Sequence, residues 1–352
     1  MIGAGKKTRS SELSSYNVAI VGASGAVGGE LVKILAERDF PVGKLKCLAT
    51  SRSQGKEIGF RGRVYQVEET RRDSFRGVDI ALFAGGAASL EFASAAVELG
   101  AVVIDNSSHF RLDPRVPLVV PEVNPEDAAW NEGIIANPNC STIIMVMALA
   151  PVHRAAGIKR VVVSTYQAVS GAGAEGLSEL RNQAEAFLAG RQYPSRVFPY
   201  QIAFNLIPHI DVFQEQGYTR EEWKMVLETR KIMHEPDMRI SATTVRVPVF
   251  RSHSESINVE TFAKLDVAAA HKVLAEFPGV VVTDDPAVKS YPMPLDASDR
   301  DEVFVGRVRE DPTVDCGLNL WVVADQLRKG AATNAVQIAE LVVRGNHFPS
   351  RR

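Results

Sequence analysis

The chain has 352 residues, 45% of them hydrophobic, and a formal net charge of −2. That length allows two hydrophobic cores, and the near-neutral balance gives no electrostatic case for nucleic acid. No apolar run approaches the roughly 20 residues needed to span a bilayer, so no membrane role is expected.

Met1–Ser15 is polar, with Lys6, Lys7, Arg9 and four serines, and has no apolar centre. It reads as a short disordered leader and not as a secretory signal. Val18–Val21 is an apolar run that predicts a buried parallel strand. The turn that follows, Gly22-Ala23-Ser24-Gly25-Ala26-Val27-Gly28, leads into a helix over Glu30–Leu35. A strand, a glycine turn and a helix N-terminus form a pyrophosphate site, because glycines let the backbone approach the phosphates and the helix end offers free N–H groups. The spacing is G-x-x-G-x-x-G and not the commoner G-x-G-x-x-G, so an incidental glycine-rich turn is the competing reading.

A second strand is expected near Leu45–Ala49. Its end reads Thr50-Ser51-Arg52-Ser53, with no carboxylate for a ribose 2′-hydroxyl. A guanidinium and hydroxyls suit a 2′-phosphate, which favours NADP over NAD; otherwise Arg52 is a solvated loop charge. Val78–Ala84 and Ala101–Asp105 read as further strands, with a helical segment over Leu90–Leu99. The alternation predicts a doubly wound parallel sheet of Rossmann type. Ser107–Arg111 follows a strand end, where such sheets carry ligands, so Arg111 is either an anion ligand or a solvent-facing loop arginine.

Asn137-Pro138-Asn139-Cys140 precedes the apolar run Ile143–Ala150 and sets a cysteine at the mouth of a buried helix. The helix dipole there is expected to lower the thiol pKa and make Cys140 a nucleophile. The plainer reading is a small buried thiol that packs. Cys47 and Cys316 complete a sparse, odd set that points to a reducing, cytoplasmic compartment, and no zinc-ligand spacing occurs.

In the second half, Arg160–Gln167 reads as a strand running into the small-residue loop Ala168–Gly173, before a helix at about Glu175–Leu188. Strand-like segments recur at Ala242–Pro248, Ile257–Phe262 and Leu318–Ala324. Their irregular alternation with helices predicts a mixed sheet in an α+β domain. A last amphipathic helix over Asn334–Val343 is expected to return to the first domain. Glu221 and Lys224 share a helix face, as a site or as a surface ion pair. Arg246 and His253, with Pro248 between them, either reach one cleft or are structural.

Taken together, Gly22–Gly28, Asp105–Arg111, Asn137–Thr142, Gln167–Gly173, Glu221–Lys224, Ile240–Glu260 and Gly317–Glu340 resemble aspartate-β-semialdehyde dehydrogenase of the bacterial type. The resemblance runs from about Tyr16 to Gly345. It implies an NADP-binding domain over 16–138, completed by a C-terminal helix within 331–352, and a catalytic and dimerisation domain over 139–330. It also implies NADPH-dependent reductive dephosphorylation of L-aspartyl-4-phosphate in amino-acid biosynthesis, by a homodimer. Cys140 would be the nucleophile, Gln167 would orient the substrate, and His253 would be the general acid/base. Arg246 would take the α-carboxylate and Glu221 the α-ammonium, with Arg111, Asn139 and Lys224 on the phosphate. Gly22, Ser24, Gly25, Ala26, Val27, Gly28, Ser51, Arg52, Ser170, Gly171, Gly173 and Asn334 would contact NADP.

The sequence departs from the family pattern at Ser252, where many relatives carry Gly, and at Cys316, where Asn is expected. The rival family is N-acetylglutamyl-phosphate reductase, whose substrate has no free ammonium to meet Glu221. A non-catalytic dinucleotide-binding relative is the other alternative, and the presence of both Cys140 and His253 speaks against it.

Overall fold

The computed structural model describes residues 15–348. The expected leader, apart from Ser15, lies outside the described residues.

The first sheet is built from β1 (Tyr16–Val21), β2 (Val42–Ala49), β3 (Glu57–Phe60), β4 (Arg63–Glu69), β5 (Ile80–Phe83), β6 (Val102–Asp105) and β7 (Ile134–Ala136). Helices α1 (Ala26–Glu37) and α2 (Ala87–Glu98) pack against it. The strand order is β3-β4-β2-β1-β5-β6-β7, parallel throughout except for the β3–β4 pair. β5 and β6 are buried at every position, as strands covered on both faces must be. The chain leaves β1 for β2 on one side and reaches β5 on the other, so the order reverses at β1. The carboxyl end of β1 is therefore the switch point at which such sheets bind ligands.

From β7 the chain enters α3 (Cys140–Ala156) and moves to a second sheet. This contains β8 (Ile158–Gln167), β9 (Arg239–Arg246), β10 (His253–Thr261), β11 (Val280–Val282), β12 (Val303–Glu310) and β13 (Gly317–Ala324), in the order β11-β12-β13-β10-β8-β9. Its outermost pairs, β11–β12 and β8–β9, are parallel and the pairs between them are antiparallel, which makes it mixed, as expected. Helices α4 (Gly173–Leu188), α5 (Arg220–Ile232), α6 (Val267–Ala275) and α7 (Pro294–Ala297) belong to this half. α8 (Thr333–Gly345) returns, and its Ala335, Val336, Ile338, Ala339 and Val342 join the core of the first sheet.

α3 lies at the centre of the second core. Its cap is worth about 1 kcal/mol. Each of its fully buried Ile, Leu, Met and Val side chains is worth about 1.5–3 kcal/mol. Burial thus holds the helix, while the cap decides where it begins and so where Cys140 stands.

Candidate active site

A cleft of about 430 Å³ opens between the two halves. The first-sheet wall is the turn after β1, with Gly22, Gly25, Ala26, Val27 and Gly28. Gly22 has φ +84°, and a Cβ on Gly28 would stand 2.1 Å from the Gly22 carbonyl oxygen. No side chain caps α1, so its first N–H groups face the cleft without an internal acceptor. Backbone donors, close approach and the positive end of a helix fit a pyrophosphate. Ser24 is exposed in the same turn. Ser51 and Arg52 are exposed in a one-turn helix directly after β2, beside the switch point.

The opposite wall carries Cys140, Ser170, Gly171 and Gly173. Asn139 is the N-cap of α3, its Oδ1 accepting from the amides of Ser141 and Thr142 at 3.0 and 3.2 Å. Its Nδ2 donates to Glu221 Oε1 at 2.9 Å, and Gln167 Nε2 donates to the same oxygen at 3.2 Å. Thr165 Oγ1 steadies Gln167 from two residues back on β8. Lys224 Nζ reaches Glu221 Oε2 at 3.0 Å and Asp211 at 2.9 Å. The Glu221–Lys224 pair is thus no surface ion pair: Glu221 is 5% exposed, and its carboxyl stays below the usual range because Lys224 and two amide donors outweigh burial.

Arg111 is 7% exposed. It donates to the Asn137 carbonyl (3.0 Å), the Asn106 carbonyl (2.8 Å) and Glu228 Oε1 (3.1 Å). Three of five guanidinium N–H groups are engaged, and two are left for an anion. Glu228, which no motif singles out, also accepts the backbone amide of Asn139 at 2.6 Å. It clamps the helix cap and Arg111 together. Arg246, at the end of β9, donates to the Ala168 carbonyl at 2.7 Å and lies over Phe198. A Cβ on Gly171 would come within 2.8 Å of Arg246 Nη1 and 3.6 Å of His253 Cε1 and Nε2. Glycine there lets the arginine and the imidazole pack directly behind the loop that lines the cleft.

β10 pairs antiparallel with β8, with Ser254 opposite Tyr166, which sets His253 beside Gln167. The residue before it, Ser252, adopts φ +73°, a conformation that favours glycine. Gln326 Oε1 accepts the Ser252 amide at 2.8 Å, and Gln326 Nε2 donates to Ser170 Oγ. Gln326 lines the cleft, a placement with no signature in the sequence.

Two expectations change. The Cys140 thiol is not lowered by the helix end. Burial and the nearby Glu221 carboxylate push it up to about 12, against the smaller opposing pull of Arg111 and Arg246. Desolvation of the thiol is the largest of these influences and outweighs the pull of the helix end. Asn334 does not line the cleft. It is wholly buried, donating to the Val119 carbonyl (2.9 Å) and Asn137 Oδ1 (2.7 Å) and accepting from the buried Lys329 (3.0 Å). It supports Asn137 from behind.

No group of three or more His, Cys, Asp or Glu is arranged for a metal among the described residues, and no described helix is long and apolar enough to cross a membrane.

The semialdehyde dehydrogenase NAD binding domain matches residues 17–130, and the semialdehyde dehydrogenase dimerisation domain matches 149–329. The chain is 58% identical over 334 residues to aspartate-semialdehyde dehydrogenase of Aquifex aeolicus, covering 94% of this chain and 98% of that one. It is 51% identical over 333 residues to the Bacillus subtilis protein of that name, covering 92% and 96%. The crystal structure of aspartate semialdehyde dehydrogenase II from Vibrio cholerae, complexed with ASA, superposes with a TM-score of 0.92 at 50% identity, covering 94% of this chain and 99% of that one. With the glycine turn and the buried cysteine helix facing one cleft, these matches decide the matter: the chain belongs to the aspartate-semialdehyde dehydrogenase family.

Proposed function

We propose that the protein is an NADP-dependent aspartate-semialdehyde dehydrogenase that reductively dephosphorylates L-aspartyl-4-phosphate through a thioester on Cys140. The observation that carries this is the charge order around the thiol. One carboxylate (Glu221), one guanidinium (Arg246) and a second guanidinium with unused donors (Arg111) act on Cys140, and Lys224 stands behind them against Glu221. They answer the ammonium, carboxylate and phosphate of that substrate, and an N-acetylated substrate would leave Glu221 without a cation.

The Cys140 sulfur attacks the acyl carbon, and phosphate leaves towards Arg111. A substrate ammonium at Glu221 offsets the carboxylate that pushes the thiol up, so substrate binding itself readies the nucleophile. Gln167 holds Glu221 and the edge of the substrate together. The Gly22–Gly28 turn would hold the pyrophosphate of the coenzyme, Ser51 and Arg52 its 2′-phosphate, and the Ser170–Gly173 loop its nicotinamide end. When bound, the reduced nicotinamide supplies the hydride. The domain division follows the same reading, with coenzyme binding over 16–138 plus 331–352 and catalysis and dimerisation over 139–330. The working form is a cytoplasmic homodimer.

The test is intact-protein mass after mixing with aspartyl phosphate without coenzyme. The parent should carry one aspartyl adduct on Cys140 and the Cys140→Ala variant none; an unmodified parent would count against the thioester. Comparing kcat/KM for NADP and NAD in the parent and in Arg52→Ala tests the coenzyme assignment. A parent that prefers NAD would overturn it.

A further inference from the structure

The two guanidiniums that act on Cys140 are held differently. Arg246 makes no ion pair among the described residues; it donates to the Ala168 carbonyl and lies over Phe198. Arg111 has the carbonyls of Asn137 and Asn106 and, in addition, the Glu228 carboxylate at 3.1 Å. Lys224, expected with Arg111 on the phosphate, is likewise paired, with Glu221 at 3.0 Å and Asp211 at 2.9 Å. The cation matched to a group that the substrate keeps throughout is therefore unpaired. The cations matched to the group that must leave carry carboxylates of their own.

Glu228, on α5, is 1% exposed and does not line the cleft; Arg111 does. Its Oε1 meets Arg111 Nη1, and its Oε2 accepts the Asn139 amide at 2.6 Å. Each oxygen faces a donor, the arrangement that suits an ionised carboxylate. Burial pushes the carboxyl above its usual range, and Arg111 and the Asn139 amide pull against that. The place of the guanidinium does not depend on this contact, because two backbone carbonyls already hold it through Nε and Nη2. What Glu228 adds at Arg111 is charge. A buried carboxylate beside the guanidinium cancels much of the field that would hold an anion at the two unused N–H groups.

We propose that Glu228 is a positioning residue acting through Arg111: a resident counter-ion that competes with phosphate for the guanidinium and keeps the displaced phosphate loosely held. This rests on the reading of Arg111 as the phosphate ligand. An acyl phosphate arrives joined to an ammonium and a carboxylate that have partners of their own, so its phosphate needs no tight grip. Once displaced, the anion has only its own contacts to hold it, and Glu228 weakens the chief one. The same weakness acts when the reaction runs the other way and phosphate must enter as a separate molecule. Affinity for phosphate is given up in exchange for its release.

The experiment is a titration with inorganic phosphate, followed by ³¹P NMR, of the parent and of Glu228→Gln, Glu228→Asp and Arg111→Ala. Glu228→Gln should bind phosphate about tenfold or more tightly than the parent, because a buried negative charge next to the site is gone. Added phosphate should inhibit its reductive turnover more strongly, by about the same factor. Glu228→Asp keeps the charge and should stay within about threefold of the parent. A residue that only shaped the site would show the opposite sign, since its loss would loosen Arg111 and weaken the binding. Phosphate bound no tighter by Glu228→Gln than by the parent overturns the inference. Breaking a buried pair is costly, so the parent provides a second arm. With glutamate carboxyls labelled with ¹³C, and the Glu228 signal assigned by its loss in the charge-keeping Glu228→Asp, the parent should show an ionised Glu228 at neutral pH without phosphate. A protonated carboxyl there overturns the inference even if Glu228→Gln does not fold. Binding that survives Arg111→Ala unchanged would defeat the phosphate reading of Arg111 and the inference with it. Binding lost in Arg111→Ala, with no gain in Glu228→Gln, defeats the inference alone.

Discussion

The two walls of the cleft are made of different material. On the first-sheet side the contacts are backbone: a turn with no Cβ at Gly22, Gly25 or Gly28 and an uncapped helix end. On the second-sheet side they are side chains, and nearly every one is held by another: Asn139 by Glu228, Glu221 by Asn139, Gln167 and Lys224, Arg111 by Glu228. A backbone site depends on space and is indifferent to the exposed side chains around it. A side-chain site depends on charge balance, since a buried charge that loses its partner costs several kcal/mol. Substitutions should therefore fail in different ways on the two walls.

The largest effect is expected at the side-chain wall. Cys140→Ala should reduce turnover by on the order of 10³ or more while leaving coenzyme affinity nearly unchanged, since only the nucleophile is lost. Steady-state rates with a coenzyme titration check both halves, and activity within tenfold of the parent would break the comparison. On the backbone wall, Gly28→Ala drives a methyl into the Gly22 carbonyl. An overpacking cost of about 1–3 kcal/mol predicts roughly ten- to a hundredfold weaker coenzyme binding with the Cys140 adduct still forming. Ser24→Ala, a change at an exposed position of the same turn, should alter binding far less. Equal effects of the two changes would show that the turn is not a close-approach site.

Glu221→Gln sharpens the electrostatic side. Losing one charge-assisted contact of roughly 1.5–3 kcal/mol should lower kcat/KM on the amino-bearing substrate about ten- to a hundredfold. The same change should matter much less for an analogue with an acetylated amine. Equal losses on both substrates would make Glu221 a purely structural residue. The smallest effect concerns Ser252. At φ +73° a Cβ costs about 1 kcal/mol. Ser252→Gly and Ser252→Ala both lose the 2.9 Å contact with Ser298, so the glycine variant should be the more stable by about that amount in denaturant unfolding. An alanine variant of equal stability would remove the strain argument.

The elements that sequence periodicity exposed are those whose burial is continuous. The β1 run and the long apolar stretch of α3 were legible because nearly all their positions face the interior. β12 carries no such pattern: Gly306 and Arg307 interrupt it, Arg307 takes φ +51°, and the register shifts between Gly306 and Arg309. β3 is the edge strand and β4 its neighbour, and each has a single buried position. Within the site, residue type alone marked Cys140, Glu221, Arg246 and His253 as candidates. Glu228 and Gln326 were invisible, because a glutamate inside a helix and a glutamine after a strand look like solvated residues until the fold buries them. The thiol failed for a related reason. A helix end is a local feature and readable, whereas the Glu221 carboxylate that also opposes it reaches the helix cap from 82 residues beyond Asn139.

The return of α8 orders events during synthesis. β1 and the glycine turn leave the ribosome more than 300 residues before Ala335, Val336, Ile338 and Val342 of the same core. Nascent domains ordinarily fold as units from the N-terminus. Here the first unit waits with an open hydrophobic face while the second is translated and folded. A chain halted before Thr333 would thus hold a finished thiol pocket beside an unfinished coenzyme core, and the helper proteins that shield apolar surface would be needed longest by the part that emerges earliest.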